Sequence, residues 1–263
     1  MIGIGATLFK IAFVGGRGFS PASLFAGGER GAWYDPSDLS SMFQLSDGTV
    51  AAAVNQPVGY IADKSGNGNH AIQATATKRP ILKESGGLYY LEFDGVDDGL
   101  VSSSIDFTNN DEMSVFAGVR LDTAGTKAIA ELSASASSNT NTFRLTAISS
   151  NIWRYASRGD SVLRNANSNG YAVPTTDVLT GLSTISGDSA ILRVDGSEEG
   201  SVTQDQGAGN YGNYPVNIGS RNNGASQVLD GRIYGLIVRG VLSGASKITA
   251  TELYMASKTG VSL

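Results

Sequence analysis

The chain contains no cysteine and a single histidine, and each shortage excludes chemistry. Without cysteine there are no disulfides, no thiolate metal sites and no thiol nucleophile. One histidine, His70, cannot build a histidine-rich metal centre, and any Ser-His-Asp triad would have to be built on it. His70 follows a glycine-rich turn and precedes Ala71-Ile72, where an imidazole that hydrogen-bonds its own turn is the expected role. Charge is scarce as well: Asp, Glu, Lys and Arg make up 16% of 263 residues, against ~25% in an ordinary soluble domain. The 19 basic and 24 acidic residues are scattered, with a net charge of −5. No basic patch is available to neutralise phosphates, so no nucleic-acid partner is expected. Long apolar runs are missing too. The most apolar stretch, Met1 to Val14, is interrupted by Lys10 and lacks a basic leading segment and a clean small-residue cleavage site. It is also too short for a helix crossing ~30 Å of hydrocarbon. We expect neither a signal peptide nor a membrane span.

Hydrophobic residues, at 41%, suffice for a core, and 34 glycines against 6 prolines indicate many tight turns with positive φ. Short apolar strands alternate with Gly, Asn, Asp and Ser clusters from Trp33 onward. In Met113 to Leu121, residues Met113, Val115, Ala117, Val119 and Leu121 share one face. In Leu88 to Phe93 the better core face carries Tyr89, Leu91 and Phe93. A hairpin turn is expected at Gly187-Asp188 and another at Asp195-Gly196. Strict alternation in Gly231 to Arg239 puts Ile233, Gly235, Ile237 and Arg239 on one face and Tyr234, Leu236 and Val238 on the other. Apolar residues on both faces predict a central strand covered from each side. Only the C-terminal end reads as helix: Ser246 as cap, Thr249-x-x-Glu252 as a capping box, Ile248, Leu253 and Tyr254 inward, and Gly260 after the last turn. No repeat of ~20–50 residues is present, which disfavours propellers and solenoids.

Residues 1–31 differ from the remainder, being apolar and then glycine-rich. Alone they cannot bury Leu8, Phe9, Ile11 and Phe13. They are expected either to lie on their own domain as an extra strand or arm, or to dock into another subunit. Gly15 to Gly18 is no phosphate loop, because no Lys-Ser/Thr and no helix follow it.

Several motifs occur in an order that resembles laminin-G/concanavalin-like lectin domains. They are Asp63-x-Ser-Gly-Asn-Gly-Asn69, Phe93-Asp-Gly-Val-Asp-Asp98, Leu192-Arg-Val-Asp-Gly196, Gly231-Arg-Ile-Tyr-Gly235 and the final helix. Trp33-Tyr-Asp-Pro-Ser-Asp38, followed by Gln56-Pro-Val-Gly59, resembles the variety found in bacteriophage tail and other virion proteins. The resemblance implies an all-β, concanavalin-like jelly-roll sandwich of two antiparallel sheets over residues 32–263, with a short C-terminal helix and an apolar N-terminal arm, 1–31. It implies a non-enzymatic virion protein, made in the host cytoplasm and anchored to other virion proteins through that arm. A tail-fibre or baseplate role in adhesion or receptor binding leads, and a capsid decoration protein is the alternative. A carbohydrate-active enzyme and a cellular lectin-like module are the readings from other classes. A homo-oligomer is expected, a trimer by analogy with tail fibres, with a host surface glycan or protein as a further partner.

Glycosidase chemistry needs two carboxylates facing one cleft. Glu92 and Glu131 each stand alone in a strand and Glu198-Glu199 follows a turn, so no catalytic residues are expected. No cofactor is expected either. A structural calcium is an option, with Asp63, Asn67, Asp94, Asp97 and Asp98 as oxygen donors, but such turns also close through their own side-chain bonds. The loop Gly207 to Tyr214 is the expected ligand-binding segment, with Tyr211, Asn213 and Tyr214 supplying rings and an amide; the alternative there is a hairpin loop whose tyrosines fold over the sandwich edge.

Overall fold

The structure, a computed structural model, describes residues 18–135 and 140–263. The arm residues Leu8, Phe9, Ile11 and Phe13 lie outside the described residues. Four short strands come first: β1 (Gly31–Tyr34), β2 (Met42–Phe43), β3 (Tyr60–Ile61) and β4 (Ala71–Ile72). They are followed by β5 (Ile81–Ser85), β6 (Leu88–Asp94), β7 (Leu100–Asp106), β8 (Glu112–Leu121) and β9 (Lys127–Leu132). Next come β10 (Thr142–Ile148), β11 (Ile152–Arg158), β12 (Arg164–Gly170) and β13 (Thr175–Thr184). The last strands are β14 (Ser189–Val194), β15 (Ser197–Val202), β16 (Asn213–Ile218) and β17 (Asp230–Arg239), and α1 (Ala245–Thr259) ends the chain.

Two antiparallel sheets form a sandwich, as the sequence predicts. Sheet one runs β15-β14-β13-β8-β17-β6-β5, and sheet two runs β12-β11-β10-β9-β16-β7-β4-β3-β2. In sheet one, β17 pairs with β8 along one side, while β6 takes the first half of its other side and β1 the second. The layer between the sheets is built from alternate residues, including all five predicted in β8, with Leu91, Phe93, Phe143, Leu145, Trp153 and Tyr155.

A second apolar cluster lies on the outer face of sheet one. Phe116, Val178 and Ile237 point outward and are covered by Met255 and Ala256 of α1 and by Leu24 and Phe25 of the 3-10 turn Pro21–Phe25. The central strands of sheet one are thus buried on both faces, as the pattern of β17 predicts. Gly118 lets α1 come this close, since a Cβ there would sit 2.7 Å from the Thr259 methyl. The described part of segment 1–31 therefore lies on the domain itself. Arg239, nearly buried, fastens it by donating to Leu24 O at 2.8 Å, to Glu29 Oε1 at 2.7 Å and to Ser243 Oγ at 3.1 Å.

Two expectations are corrected. The register of β17 against β8 shifts between Ile233 and Gly235, a bulge in which Tyr234 is the extra residue. The shift reverses the alternation, so Ile233 joins Leu236 and Val238 in the inner core while Ile237 faces α1. At the helix, Gly244 is the N-cap and no side chain caps it, so Ser246 and Thr249 lie inside the helix rather than forming a capping box. Leu253 is exposed, while Thr251, Met255, Ala256 and Thr259 are buried. Gly260 ends the helix in the left-handed conformation, φ 77°, as predicted.

The Asp63 to His70 turn is a clasp on β1. The Asp63 carboxylate accepts from Trp33 N at 2.9 Å, Ser65 N at 2.8 Å, Ser65 Oγ at 2.8 Å and Asn69 N at 2.9 Å. Asn67 and Asn69 donate their amides to Gly31 O, and His70 Nδ1 accepts from Asp63 N at 3.1 Å. His70 serves the turn, as expected. Asp63→Ala removes every carboxylate bond of the clasp, and we expect a loss of about 2–4 kcal/mol in denaturant unfolding. A loss too small to measure would show that β1 is held by its ladder alone.

The turn between β14 and β15 contains Asp195 and Gly196 at φ 48° and 78°, the left-handed pair of a type I′ hairpin. Asp195 Oδ1 accepts from Val178 N at 2.8 Å. Burial first, and then the neighbouring Asp177 charge, pushes its carboxyl up to about 6. The folded state therefore holds this proton more tightly than the unfolded chain does. Its stabilising contribution is complete below the ordinary aspartate value and is lost as pH rises through about 6. Asp98, driven up to about 7 by burial and Asp94, acts in the same direction. We expect the melting midpoint to fall between about pH 4 and pH 7 through these two groups. Asp195→Asn, which tolerates positive φ and still accepts from Val178, should reduce that fall. An unchanged profile in the variant would assign the pH dependence elsewhere.

Candidate functional site

α1 and the Pro21–Phe25 turn cover the central part of sheet one's outer face, whereas the outer face of sheet two presents polar side chains. A cavity of about 270 Å³ is sunk into it, lined by Arg144, Thr146 and Ile148 of β10, Arg154 and Ala156 of β11, Asn165 of β12, and Thr126 and Gln227 from flanking loops. Alternation places these residues together. Arg144, Thr146 and Ile148 are two apart on one strand, and the register sets Arg144 opposite Ala156 and Thr146 opposite Arg154. Arg144 and Arg154 are therefore diagonal neighbours, with backbones roughly 7–8 Å apart.

The floor of the cavity is electrostatic. Glu131, with no exposed surface, accepts from Arg221 Nε at 2.7 Å and from Arg221 Nη2 at 3.0 Å. Burial raises the Glu131 carboxyl pKa while Arg221 and Arg144 pull it down. Arg144 Nε lies 3.5 Å from Glu131 Oε1 but makes no hydrogen bond to it. Burial lowers the pKa of both Arg144 and Arg154, so each guanidinium is a poorly solvated cation. Arg154 Nε donates to Asn167 Oδ1 at 2.8 Å.

Three polar atoms at this cavity are buried without a hydrogen-bond partner among the described residues: Arg144 Nε, Asn165 Oδ1 and Gln227 Oε1. An unsatisfied buried polar atom costs about 1–3 kcal/mol; these three have almost no accessible surface, and others, Trp33 Nε1 and Tyr171 OH among them, stand elsewhere in the described residues. Gln227 carries a further cost. Its backbone is left-handed, φ 50°, in a conformation uncommon outside Gly, Asn and Asp.

Two other hollows are less prepared. A groove of about 420 Å³ is lined by Gly28, Arg30, Asn67, Asn69, Ser104, Ile105 and Asp106. There Arg30 pairs with Asp106 at 3.3 Å, and the two asparagine amides are spent on the β1 carbonyls. A hollow of about 340 Å³ is lined by all three expected residues of the tyrosine loop, Tyr211, Asn213 and Tyr214. Tyr211 is 1% exposed, and its hydroxyl bonds Ser157 Oγ and Ser183 Oγ, each at 2.6 Å, inside the core. Burial pushes this phenol up to about 12. The buried ring offers little surface for stacking. Tyr214 is half-buried against the core, and Asn213 is exposed.

The expected calcium donors fall into two groups. Asp63 and Asn67 are committed to the clasp. Asp94, Asp97 and Asp98 place one oxygen each within 4.8 Å of one another, the donor type a hard cation takes. Asp94 Oδ1 already accepts from Val96 N at 2.8 Å and from Asp97 N at 3.3 Å, and Asp98 Oδ2 accepts from Asp94 N at 3.1 Å. These three would hold such an ion if one binds, and the loop also closes through its own bonds.

Sequence reasoning missed the cleft because its residues come from three strands and two loops, with no motif spanning them. The available signal was a pair of arginines at alternating positions of adjacent strands in a chain otherwise poor in charge.

No protein family model and no curated protein matches the chain. Solved structures do. The binding domain of botulinum neurotoxin serotype G superposes with a TM-score of 0.58 at 12% identity, covering 75% of this chain and 49% of that one. A botulinum neurotoxin type C structure, described as depending on two ganglioside molecules for cell entry, gives 0.58 at 10% identity, covering 90% and 53%. Trypanosoma rangeli sialidase with 2,3-difluorosialic acid gives 0.56 at 14% identity, covering 88% and 33%. The chain thus spans about half the length of the toxin structures and about a third of the sialidase. At such identities the likeness concerns the fold, and what it establishes is a β-sandwich of two antiparallel sheets.

Proposed function

We propose that the protein is a non-enzymatic recognition module that binds a host surface glycan in the cleft between Arg144, Arg154, Asn165 and Gln227. The observation that carries this reading is the grouping of two arginines and two side-chain amides around one hollow of sheet two. Side-chain amides suit hydroxyl groups, and arginines supply directional donors. The toxin neighbour that depends on gangliosides supports a binding role for the fold. A non-catalytic cleft is supported by its lining, which holds no carboxylate among the described residues, whereas glycosidases use a pair.

We further propose that the module is carried on a bacteriophage particle, at a tail fibre or baseplate, as the Trp33 to Asp38 resemblance implies. Capsid decoration is the alternative placement. Residues 1–17 would join it to other virion proteins, in a homo-oligomer such as a trimer. The described residues from Ser20 belong to the domain, so the arm is best tested by removing 1–17 alone.

Purified full-length protein should compete with phage for adsorption to host cells, and periodate treatment of those cells should abolish its binding. It should release no sugar from host polysaccharide. Protein lacking residues 1–17 should still bind cells yet fail to enter particles. Cell binding that survives periodate would sink the glycan reading, and normal incorporation of the shortened chain would sink the arm.

A further inference from the structure

We infer that the cleft selects a carboxylated sugar, the carboxylate lying between the Arg144 and Arg154 guanidinium groups. The inference rests on the glycan reading above and narrows it to one ligand class.

Charge comes first. Arg144 and Arg154 line the hollow, and the buried Glu131 carboxylate pairs with Arg221 at 2.7 Å and with Arg144 at 3.5 Å. Two short hydrogen bonds from Arg221 offset the Glu131 charge. Two cations remain at the cavity wall of a chain whose net charge is −5. A single-sign spot on a protein of opposite overall sign is a local feature that background charge does not explain. Because both guanidinium groups are partly desolvated, an anion held between them would interact more strongly than at an open surface.

Geometry selects the type of anion. Arginine presents a planar fork that matches a planar carboxylate, and Arg144 and Arg154 both line the hollow. Asn165 and Gln227 line it too, and their amides can accept from and donate to hydroxyl groups. An inorganic anion brings no hydroxyl groups. A ligand matched to two guanidinium groups and two amides carries a carboxylate and hydroxyl or amide N–H groups on one small frame, which describes a hexuronic or nonulosonic acid. The volume, about 270 Å³, is near the lower end of ordinary ligand pockets, roughly 300–1,000 Å³. It suits one or two sugar rings rather than a polymer laid along the sheet.

Gln227 is the most informative residue. It adopts φ 50° in a loop that also uses Asn222, Asn223 and Gly224 at positive φ. Asn or Gly would hold that conformation at less cost, yet the position carries a longer amide that lines the cleft. Strain kept at a position whose side chain has no internal partner points to a ligand contact.

The test is a glycan array that pairs each hexuronic- or nonulosonic-acid glycan with its carboxyl-reduced counterpart, alongside neutral glycans, followed by calorimetry on the hits. We expect acidic members to bind and reduced partners to bind at least about tenfold more weakly. Arg154→Gln should abolish that preference. Gln227→Gly should keep or raise the melting midpoint while weakening the acidic ligand, a combination that a purely structural role for the glutamine does not produce. Equal binding of acidic and reduced partners, or preference for neutral glycans, would overturn the carboxylate inference and leave glycan recognition standing. No binding anywhere on the array would overturn both. A Gln227→Gly protein that is less stable and binds normally would remove Gln227 from the site.

Discussion

The cleft depends on one interaction beneath it, the buried pair of Glu131 and Arg221. A carboxylate without exposed surface is costly to desolvate, and only a well-aligned, bidentate partner offsets that cost. The pair ties the loop between β16 and β17 onto β9. Backbone bonds reinforce the tie: Gly219 N donates to Ile129 O at 3.0 Å, and Ala128 N donates to Gln227 O at 2.7 Å. With the loop fixed there, Gln227 is set at the rim of the hollow. Arg144 also pairs with Glu131, at 3.5 Å and without a hydrogen bond. The same carboxylate thus anchors the loop and places Arg144 at the hollow.

The division of labour between the sheets follows from how each outer face is treated. Sheet one is covered by α1 and by the turn at Pro21–Phe25, so its outward residues are Phe116, Val178 and Ile237. Sheet two carries Arg144, Thr146 and Arg154 at the equivalent outward positions. One layer supplies stability through two-sided burial, and the other presents polar side chains from a rigid backbone. Side chains mounted on paired strands are held more precisely than those on a loop, which is one reason the cleft is a better site than the tyrosine loop.

The parts of the fold legible in the sequence were those where period and turn chemistry agree. Met113 to Leu121 alternates without interruption and lies in β8 as read, and Asp195-Gly196 and Gly260 adopt the positive φ their residue types favour. Strands β12 and β15, Arg164–Gly170 and Ser197–Val202, were illegible because they are polar edge strands with almost no apolar rhythm. The bulge at Tyr234 was hidden because an extra residue changes the phase of a strand without changing its composition. Tyr211 misled for a related reason. A glycine- and asparagine-rich loop suggests exposure, whereas the hydroxyls of Ser157 and Ser183, distant in sequence, offer the phenol a buried partner. The cleft asked most of the sequence, since its members converge only after β10, β11 and β12 are in register.

The flanks of the sandwich carry a consequence for how copies of this chain can meet. At one side β12 and β15 come so near that a Cβ on Gly200 would stand 2.2 Å from Asn167 O. At the other, Asn55 N donates to Leu82 O at 2.7 Å and Leu82 N to Gln56 O at 2.9 Å, so a stretch of coil occupies the free rim of β5. Sheet one is therefore covered at these two rims, which hinders edge-to-edge pairing of its strands with a neighbouring chain and guards against runaway strand stacking.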